Sequence, residues 1–516
     1  MAATYASPMA LPVPLKGSAL MLAGFLLAIG NFMVVLDMTI ANVSVPNIAG
    51  GLAVSPSQGT WVITSYSVAE AIVVPLTGWL AARFGAVKVF VFGMIGFGIC
   101  SALCGLAPSL GTLVLFRVMQ GLCGGPIMPM SQTLMMRVFP PQQRGQAMGL
   151  WSMTTVVAPI AGPILGGVLC DQASWPWVFY INVPVAALCA FFAWRMLRSQ
   201  ETPTENRRID YVGLGLLVLF VGSLQIMLDK GKELDWFSSP VIVGLAIVAA
   251  VGFAAFVIWE LTDDHPIVDL RVFRHRGFTG AVITIAVTFG AFFSSIVLVP
   301  LWLQTNMGYT ASWAGFTTAL GGVLAVAFSP LVPRLMTRFD PRALVSFGVA
   351  TLAAVALWRA HFASNASYWT IAITFLIQGI AMPFFFIPTT QISLSSVLPS
   401  ETASAAGLQN FLRTLSAAFS AAILTTLWDN TSSRNHASMA GALNDPAGVQ
   451  TTLAHAGMTH AQSLAQIDNL TQSQAVMLAT DQMFLVMAVA FVGAAFVVWL
   501  APKPNIFAVP AGGGGH

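Results

Sequence analysis

The stretch Gly78-Trp79-Leu80-Ala81-Ala82-Arg83-Phe84-Gly85 returns 255 residues later as Pro333-Arg334-Leu335-Met336-Thr337-Arg338-Phe339-Asp340, with Leu80/Leu335, Arg83/Arg338 and Phe84/Phe339 in register. A second echo joins Gln120-Gly121, Pro129 and Gln132 to Gln378-Gly379, Pro388 and Gln391, at offsets of 258 to 259. Two matches at nearly one spacing point to an internal duplication. What was duplicated follows from the composition. Of 516 residues 57% are hydrophobic and 8% charged, and mean hydropathy is +0.80, which excludes a soluble domain and leaves the bilayer as the main solvent. The net charge of +3, thinly scattered, offers no nucleic-acid footprint.

Crossing about 30 Å of hydrocarbon takes a helix of about 20 apolar residues. About fourteen such stretches are expected, with cores near 18–40, 59–82, 87–106, 112–136, 147–169, 177–196, 211–229, 240–261, 278–303, 313–333, 344–361, 368–392, 405–428 and 480–500. The runs are continuous and not alternating, so helices are expected and not barrel strands. The fold class is therefore all-α integral membrane. The repeat maps helix 2 onto helix 10 and helix 4 onto helix 12, an offset of eight spans. That predicts two parallel six-helix bundles, 18–198 and 278–500, joined by a two-helix linker at 199–277. Repeats of this kind are related by an axis along the bilayer normal, and transporters built so place substrate between the halves.

The basic residues support the even count. With a cytoplasmic N-terminus, sixteen of the 22 Lys and Arg fall on cytoplasmic loops and tails, including Arg83, Lys88, Arg137, Arg144, Arg274 and Arg342. Lys230, Lys232, Arg359 and Arg434 fall on the opposite side, and Arg117 and Arg413 inside spans. Both tails, 1–17 and 501–516, are then cytoplasmic. Residues ahead of Lys16 carry three prolines and no apolar core, so no cleaved signal peptide is expected. The five cysteines sit in or at the ends of spans, implying neither a disulfide framework nor a metal site.

Four motifs carry a resemblance to a known family. Leu36-Asp37-Met38-Thr39-Ile40-Ala41-Asn42-Val43-Ser44-Val45-Pro46 lies on helix 1, Gly78 to Lys88 in loop 2–3, Arg117-Val118-Met119-Gln120-Gly121 on helix 4, and Pro159-Ile160-Ala161-Gly162-Pro163-Ile164-Leu165-Gly166-Gly167 on helix 5. Together they resemble the major facilitator superfamily, in its 14-helix drug:proton antiporter branch, and within it the EmrB-type multidrug exporters. The resemblance runs from about 18 to 500. It implies export driven by the proton gradient, with no other cofactor, from the bacterial inner membrane. It also implies a periplasmic membrane-fusion adaptor of the EmrA type, leading to an outer-membrane channel and facing the long polar loop 429–479. A merely solvated loop is the alternative reading there. One departure is Ala82, where the family usually carries an aspartate that takes part in a charge-linked cytoplasmic gate; Arg83 then needs another partner, or serves as a positive-side anchor.

An ionisable group in a span is costly unless paired or wet, so each is a functional candidate. Asp37 and Arg117 come to similar depths and can pair. A carboxylate beside Arg⁺ holds its charge, and a desolvated one takes a proton, so separating the pair switches a proton. That makes Asp37, Glu70 and Arg117 the proton-coupling candidates, with a static ion pair as the plain alternative for the first and third. Glu70 either pairs with Arg413 in one conformation or stays hydrogen-bonded near Thr64 and Ser67. Arg83, Gly162, Pro163, Gly166 and Gly167 are gating candidates. In helix 5 the four-residue spacing of Ala158, Gly162 and Gly166 presents a small face for close approach, expected between the halves, and the prolines bend the helix.

By the fold resemblance helices 1, 4, 9 and 12 line the cavity. Met33, Gln132, Phe293, Gln378, Phe385, Gln391, Asn410 and Arg413 are the substrate-binding candidates, since soft and flat side chains suit loosely specified amphipathic ligands. A dedicated exporter of one metabolite or antibiotic fits the same motifs. A membrane enzyme lacks support, since no nucleotide loop, zinc spacing or nucleophile motif is present.

Overall fold

The computed structural model describes residues 15–503, apart from 207, 365 and 443–445; the chain ends beyond them, with most of both expected tails, lie outside the described residues, as does the side chain of Pro163. Fourteen principal helices organise the chain. The first bundle comprises α1 (Gly17–Gly51), α2 (Trp61–Phe84), α3 (Ala86–Gly105), α4 (Leu110–Val138), α5 (Arg144–Gln172) and α6 (Trp177–Gln200). Next come α7 (Tyr211–Lys230) and α8 (Pro240–Thr262), then α9 (Arg276–Thr305), α10 (Ala311–Phe328), α11 (Pro341–Arg359), α12 (Tyr368–Ser395), α13 (Thr402–Gly441) and α14 (His460–Leu500). Twelve are long and apolar enough to cross a bilayer, and the bent α5, with 45° between Pro141–Pro159 and Ile164–Cys170, makes a thirteenth. The remaining expected span is the shorter α10, which stops at Ser329-Pro330 and resumes as Leu331–Met336. Apolar side chains such as Phe253, Val251, Ile258, Val489 and Phe496 stay exposed on the outside of the bundles, as lipid-facing surface requires. The chain is a multi-pass membrane protein.

Local chemistry starts and breaks these helices. Ser109 and Thr459 form capping boxes with Thr112 and Gln462 at the heads of α4 and α14. Asp210, Thr310, Asp340 and Ser367 cap α7, α10, α11 and α12. Pro75 sits in a tight turn inside α2, and Pro126 follows the break after Gly124 in α4.

The ends rich in Arg and Lys gather at one rim. Gly85, at a φ of 94° that favours glycine, turns the chain from α2 into α3. The Glu201 carboxylate accepts from the backbone N–H groups of Val87 and Lys88 at 2.8 and 3.1 Å, so the corner lacking an aspartate at Ala82 takes a carboxylate from the linker. Arg137 donates to the Gln200 and Glu201 carbonyls. In the second half Glu401 pairs with Arg274 and His275, and Arg342 donates to Asp340 and the Ala501 carbonyl. The Arg342 guanidinium holds the Asp340 carboxyl below the ordinary carboxylate range.

Two expectations need correction. Loop 429–479 is not a loose polar loop: α13 continues to Gly441, a short helix spans Pro446–His455, and α14 begins at His460. At 1.5 Å per residue α13 is about 60 Å long, twice the hydrocarbon thickness, so the pair projects past the far rim as a helical hairpin. Trp428 donates to Thr480 Oγ1 at 2.9 Å, and His436 meets Asp468 at 3.0 Å. The glycine face of α5 does not join the halves either. It lies on α1 of the same bundle, where Thr39 Oγ1 reaches the Ala158 carbonyl at 3.3 Å, and a Cβ at Gly162 would strike the Thr39 side chain. A Cβ at Gly166 would stand 3.3 Å from the Ile40 carbonyl oxygen, whereas Gly167 has open space around it.

Gly162→Ala is therefore expected to prise α1 from α5 and to destabilise by about 1–3 kcal/mol, as overpacking does. A thermal-unfolding comparison in detergent checks this, with Gly167→Ala expected to melt like the parent.

Candidate functional site

Asp37 and Arg117 meet inside the first bundle, Nη1 to Oδ2 at 2.6 Å, each 1% exposed. Five helices build the site. From α4, Gln120 Oε1 accepts from Arg117 Nη1 at 2.8 Å while its Nε2 donates to Asp37 Oδ1 at 3.1 Å. From α6, Asn182 Nδ2 donates to Asp37 Oδ1 at 2.7 Å and to Ser101 of α3 at 3.1 Å. From α2, the Val62 carbonyl accepts from Arg117 Nε at 3.0 Å, and the Tyr66 ring lies 4.2 Å from the guanidinium. The carboxylate thus receives three side-chain donors, the arrangement that makes a buried charge tolerable.

Glu70, on the next turns of α2, is buried, and its Oε2 has no hydrogen-bond partner. Its backbone lies close against α4, since a Cβ at Gly121 or Gly125 would come within 3.2 Å of it. Arg413, from α13, points Nη2 at the Met128 sulfur of α4 and lies 5.1, 5.7 and 5.9 Å from the rings of Phe289, Phe386 and Trp151. Its Nε and Nη1 have no partner. Glu70 and Arg413 are not an ion pair in this structure, although Glu70 lies within electrostatic reach of both Arg413 and Arg117.

The other candidates divide. Gln132 Oε1 accepts from Asn410 Nδ2 at 2.6 Å, a direct bond between the halves. Gln391 Oε1, without a hydrogen bond of its own, faces Gly145 of α5. Phe293 stacks on Phe289, Phe385 is fully buried edge-on to Phe386, and Met33 is buried on α1. Phe289 and Phe386, not Phe293 and Phe385, are the rings that reach Arg413. Gln378 lies elsewhere, in the wall of a cavity inside the second bundle. Arg83 closes the last turn of α2 at the basic rim. Sequence reasoning missed Asn182 and Ser101 altogether and left Gln120 as a repeat marker. It also placed Arg359 on a loop, whereas that residue is 2% exposed and buried between helices of the second bundle.

Where the halves meet, contact concentrates on the basic side. A Cβ at Gly78 would strike Ser404, one at Gly407 would come within 2.9 Å of the Val74 carbonyl oxygen, and Gly145 and Gly149 face Pro333 and Ile387. Trp151 stacks with Phe386 at 6.0 Å. The same seam holds unpartnered polar atoms: Gln132 Nε2, Gln391 Oε1, Gln409 Oε1, Asn410 Oδ1 and the two Arg413 nitrogens. Buried polar atoms are ordinarily satisfied. A concentration of unsatisfied ones between two bundles is a surface built to take water or a polar ligand.

The comparisons with known proteins agree with this layout. Residues 27–421 match the Major Facilitator Superfamily. The chain belongs to that family. This facilitator chain is 45% identical over 508 residues to the multidrug export protein EmrB of Escherichia coli strain K12, covering 98% of itself and 99% of that relative. It is 42% identical to the fatty acid resistance protein FarB of Neisseria gonorrhoeae over 98% and 99% of the two chains. It is 39% identical to the probable multidrug resistance protein EmrY of Escherichia coli strain K12 over 96% and 97%. Among solved structures the human organic anion transporter MFSD10 superposes with a TM-score of 0.57 over 94% of this chain and all of that one, and the proton:xylose symporter XylE with 0.59 over 95% and 97%; both are 14% identical and show the facilitator fold.

A facilitator chain sealed on its basic side should cross-link there. With Gln132→Cys and Asn410→Cys in a cysteine-free background, a short bifunctional thiol reagent is expected to join the halves and stop transport. Substrate that opens this side should slow the reaction, read as a gel shift after cleavage of one interhelical loop.

Proposed function

We propose that this chain exports amphipathic toxic compounds from the cell across the bacterial inner membrane in exchange for protons, by alternating access and with both termini cytoplasmic. The observation that carries the reading is the buried Asp37–Arg117 pair. It draws on helices α1, α2, α3, α4 and α6, and its neighbour Glu70 reaches towards the seam between the halves. Helix motion that withdraws the three donors strips this carboxylate of its partners, the change that proton exchange at Asp37 calls for. Glu70, with one oxygen unpartnered, supplies a second group next to Arg413. The seam offers aromatic rings, a methionine and a cation together, chemistry suited to compounds with an apolar body and a polar or charged end. The relatives' names, multidrug export for EmrB and fatty acid resistance for FarB, describe such compounds.

Everted vesicles test the reading. Several unrelated amphipathic compounds are expected to dissipate an imposed proton gradient through this chain, while response to a single compound would favour the dedicated exporter. Asp37→Asn should cut the flux at least about tenfold. Because it leaves Arg117 buried and unpaired, at about 3–5 kcal/mol, the amount of folded protein is measured alongside. Full gradient-dependent transport in both Asp37→Asn and Glu70→Gln would sink the coupling role.

The projecting α13–α14 hairpin supports a second part of the proposal, that a periplasmic adaptor docks on it and leads to an outer-membrane channel. It extends past the apolar part of α13 and carries exposed Leu464 and Leu470. Replacing 436–468 by a short Gly-Ser turn is expected to abolish adaptor pull-down while transport into everted vesicles persists. Retained pull-down would place the adaptor elsewhere.

A further inference from the structure

Arg359, the last residue of α11, is 2% exposed inside the second bundle. Its Nε donates to Thr374 Oγ1 at 2.9 Å and its Nη1 to Ser295 Oγ at 3.0 Å. Both acceptors are neutral, and the Thr374 hydroxyl gives its own proton to the Ile371 carbonyl at 2.6 Å. The Phe375 and Phe484 rings lie 4.1 and 5.9 Å from the guanidinium. Nη2 has no partner, and among the described residues no carboxylate is within 4.0 Å of it.

The first bundle shows what a guanidinium in such a place requires. Arg117 also lies over an aromatic ring, but Asp37 neutralises it and Gln120 bridges the two. The repeat brings the same node together in both halves. Cys104 and Arg359 are 255 residues apart and Gln120 and Gln378 are 258 apart. Cys104 Sγ lies 3.5 Å from Gln120 Oε1, and Arg359 and Gln378 share the wall of one cavity. That cavity is small, with about 10 Å³ open to the centre of a water-sized guest; Ser295 is its other polar wall, and Phe292, Phe484 and Met487 are among the apolar ones. The second bundle thus sets a cation, where the first has Cys104, beside the repeated glutamine, with no carboxylate within 4.0 Å of it among the described residues; the Asp481 carboxylate of α14, one turn before Phe484, does not pair with it. A bare buried cation costs several kcal/mol, and rings with two hydroxyls do not neutralise it.

We propose that Arg359, Ser295 and Gln378 form a binding site for a monovalent anion inside the second bundle, distinct from the seam between the halves. The anion accepts from Arg359 Nη2, the Ser295 hydroxyl and the Gln378 amide, and completes the charge balance that Asp37 provides in the first bundle. Two sources share this chemistry and fit so small a space: a free halide, and a one-carbon carboxylate.

The test is thermal unfolding of the full-length protein in detergent, with chloride exchanged for gluconate at constant ionic strength and, separately, with formate in place of chloride. Chloride is expected to raise Tm saturably by on the order of 2 °C. Arg359→Gln should abolish the dependence, Arg359→Lys should retain part of it, and Ser295→Ala should shift the chloride midpoint at least about threefold. If formate but not chloride stabilises in an Arg359-dependent way, the site stands and its anion is a small carboxylate. A parent Tm indifferent to both anions overturns the proposal. Should Arg359→Gln fail to fold, Ser295→Ala carries the comparison, and an unchanged midpoint there overturns it.

Discussion

Charge buried in a lipid-embedded bundle has to be answered from within, and the Asp37–Arg117 pair shows how much of the first half is spent on doing so. The network draws on five of six helices, and the donors to the carboxylate come from α4 and α6, so α1, α4 and α6 cannot slide past one another without changing their number. The close approach of α1 to α5 through Gly162 and Gly166 fixes the depth at which Asp37 sits. Glu70 then stands between this balanced network and Arg413, whose surroundings are rings and a thioether.

The two halves share an architecture but not an electrostatic solution. The first bundle carries both signs of charge. In the second, Arg359 and Arg413 are buried and neither makes an ion pair among the described residues, while Asp481 of α14 keeps a buried carboxylate oxygen without a hydrogen bond. At the seam the Arg413 guanidinium offers an attraction to an anionic or electron-rich end, with the apolar faces of Phe289, Phe386 and Trp151 around it.

Much of this was legible in the sequence, because charge is scarce in such a chain and each buried ion stands out. The repeat, the parallel halves and the meeting of Asp37 with Arg117 could be read from spacing and depth. Gln120, Asn182 and Ser101 could not, since uncharged polar residues are common in these spans and helix phase cannot be fixed from one sequence. Arg359 was lost for a different reason: at the end of an apolar run, hydropathy assigns an arginine to the loop, while the fold draws that helix end inwards. The hairpin of α13 and α14 was hidden because a helix standing in water lacks the continuous apolar run by which spans are recognised. The small face of α5 announced a close contact but not its partner; α1 takes it, and the halves meet instead through the basic end of α5.

The unbroken course of α13 has a mechanical consequence. Its first turns touch α2 at Ser404 and Gly407, its fourth carries Arg413 among the rings at the seam, and the same rod runs on to Gly441 beyond the far rim. From Arg413 to Gly441 it rises about 42 Å at 1.5 Å per residue. A tilt of about 10° about the seam, small enough to be absorbed by repacking around Arg413, displaces the tip by about 7 Å over that length. The helix works as a lever with its fulcrum among the seam residues, so a small rearrangement there is delivered, enlarged, to whatever rests on the hairpin outside.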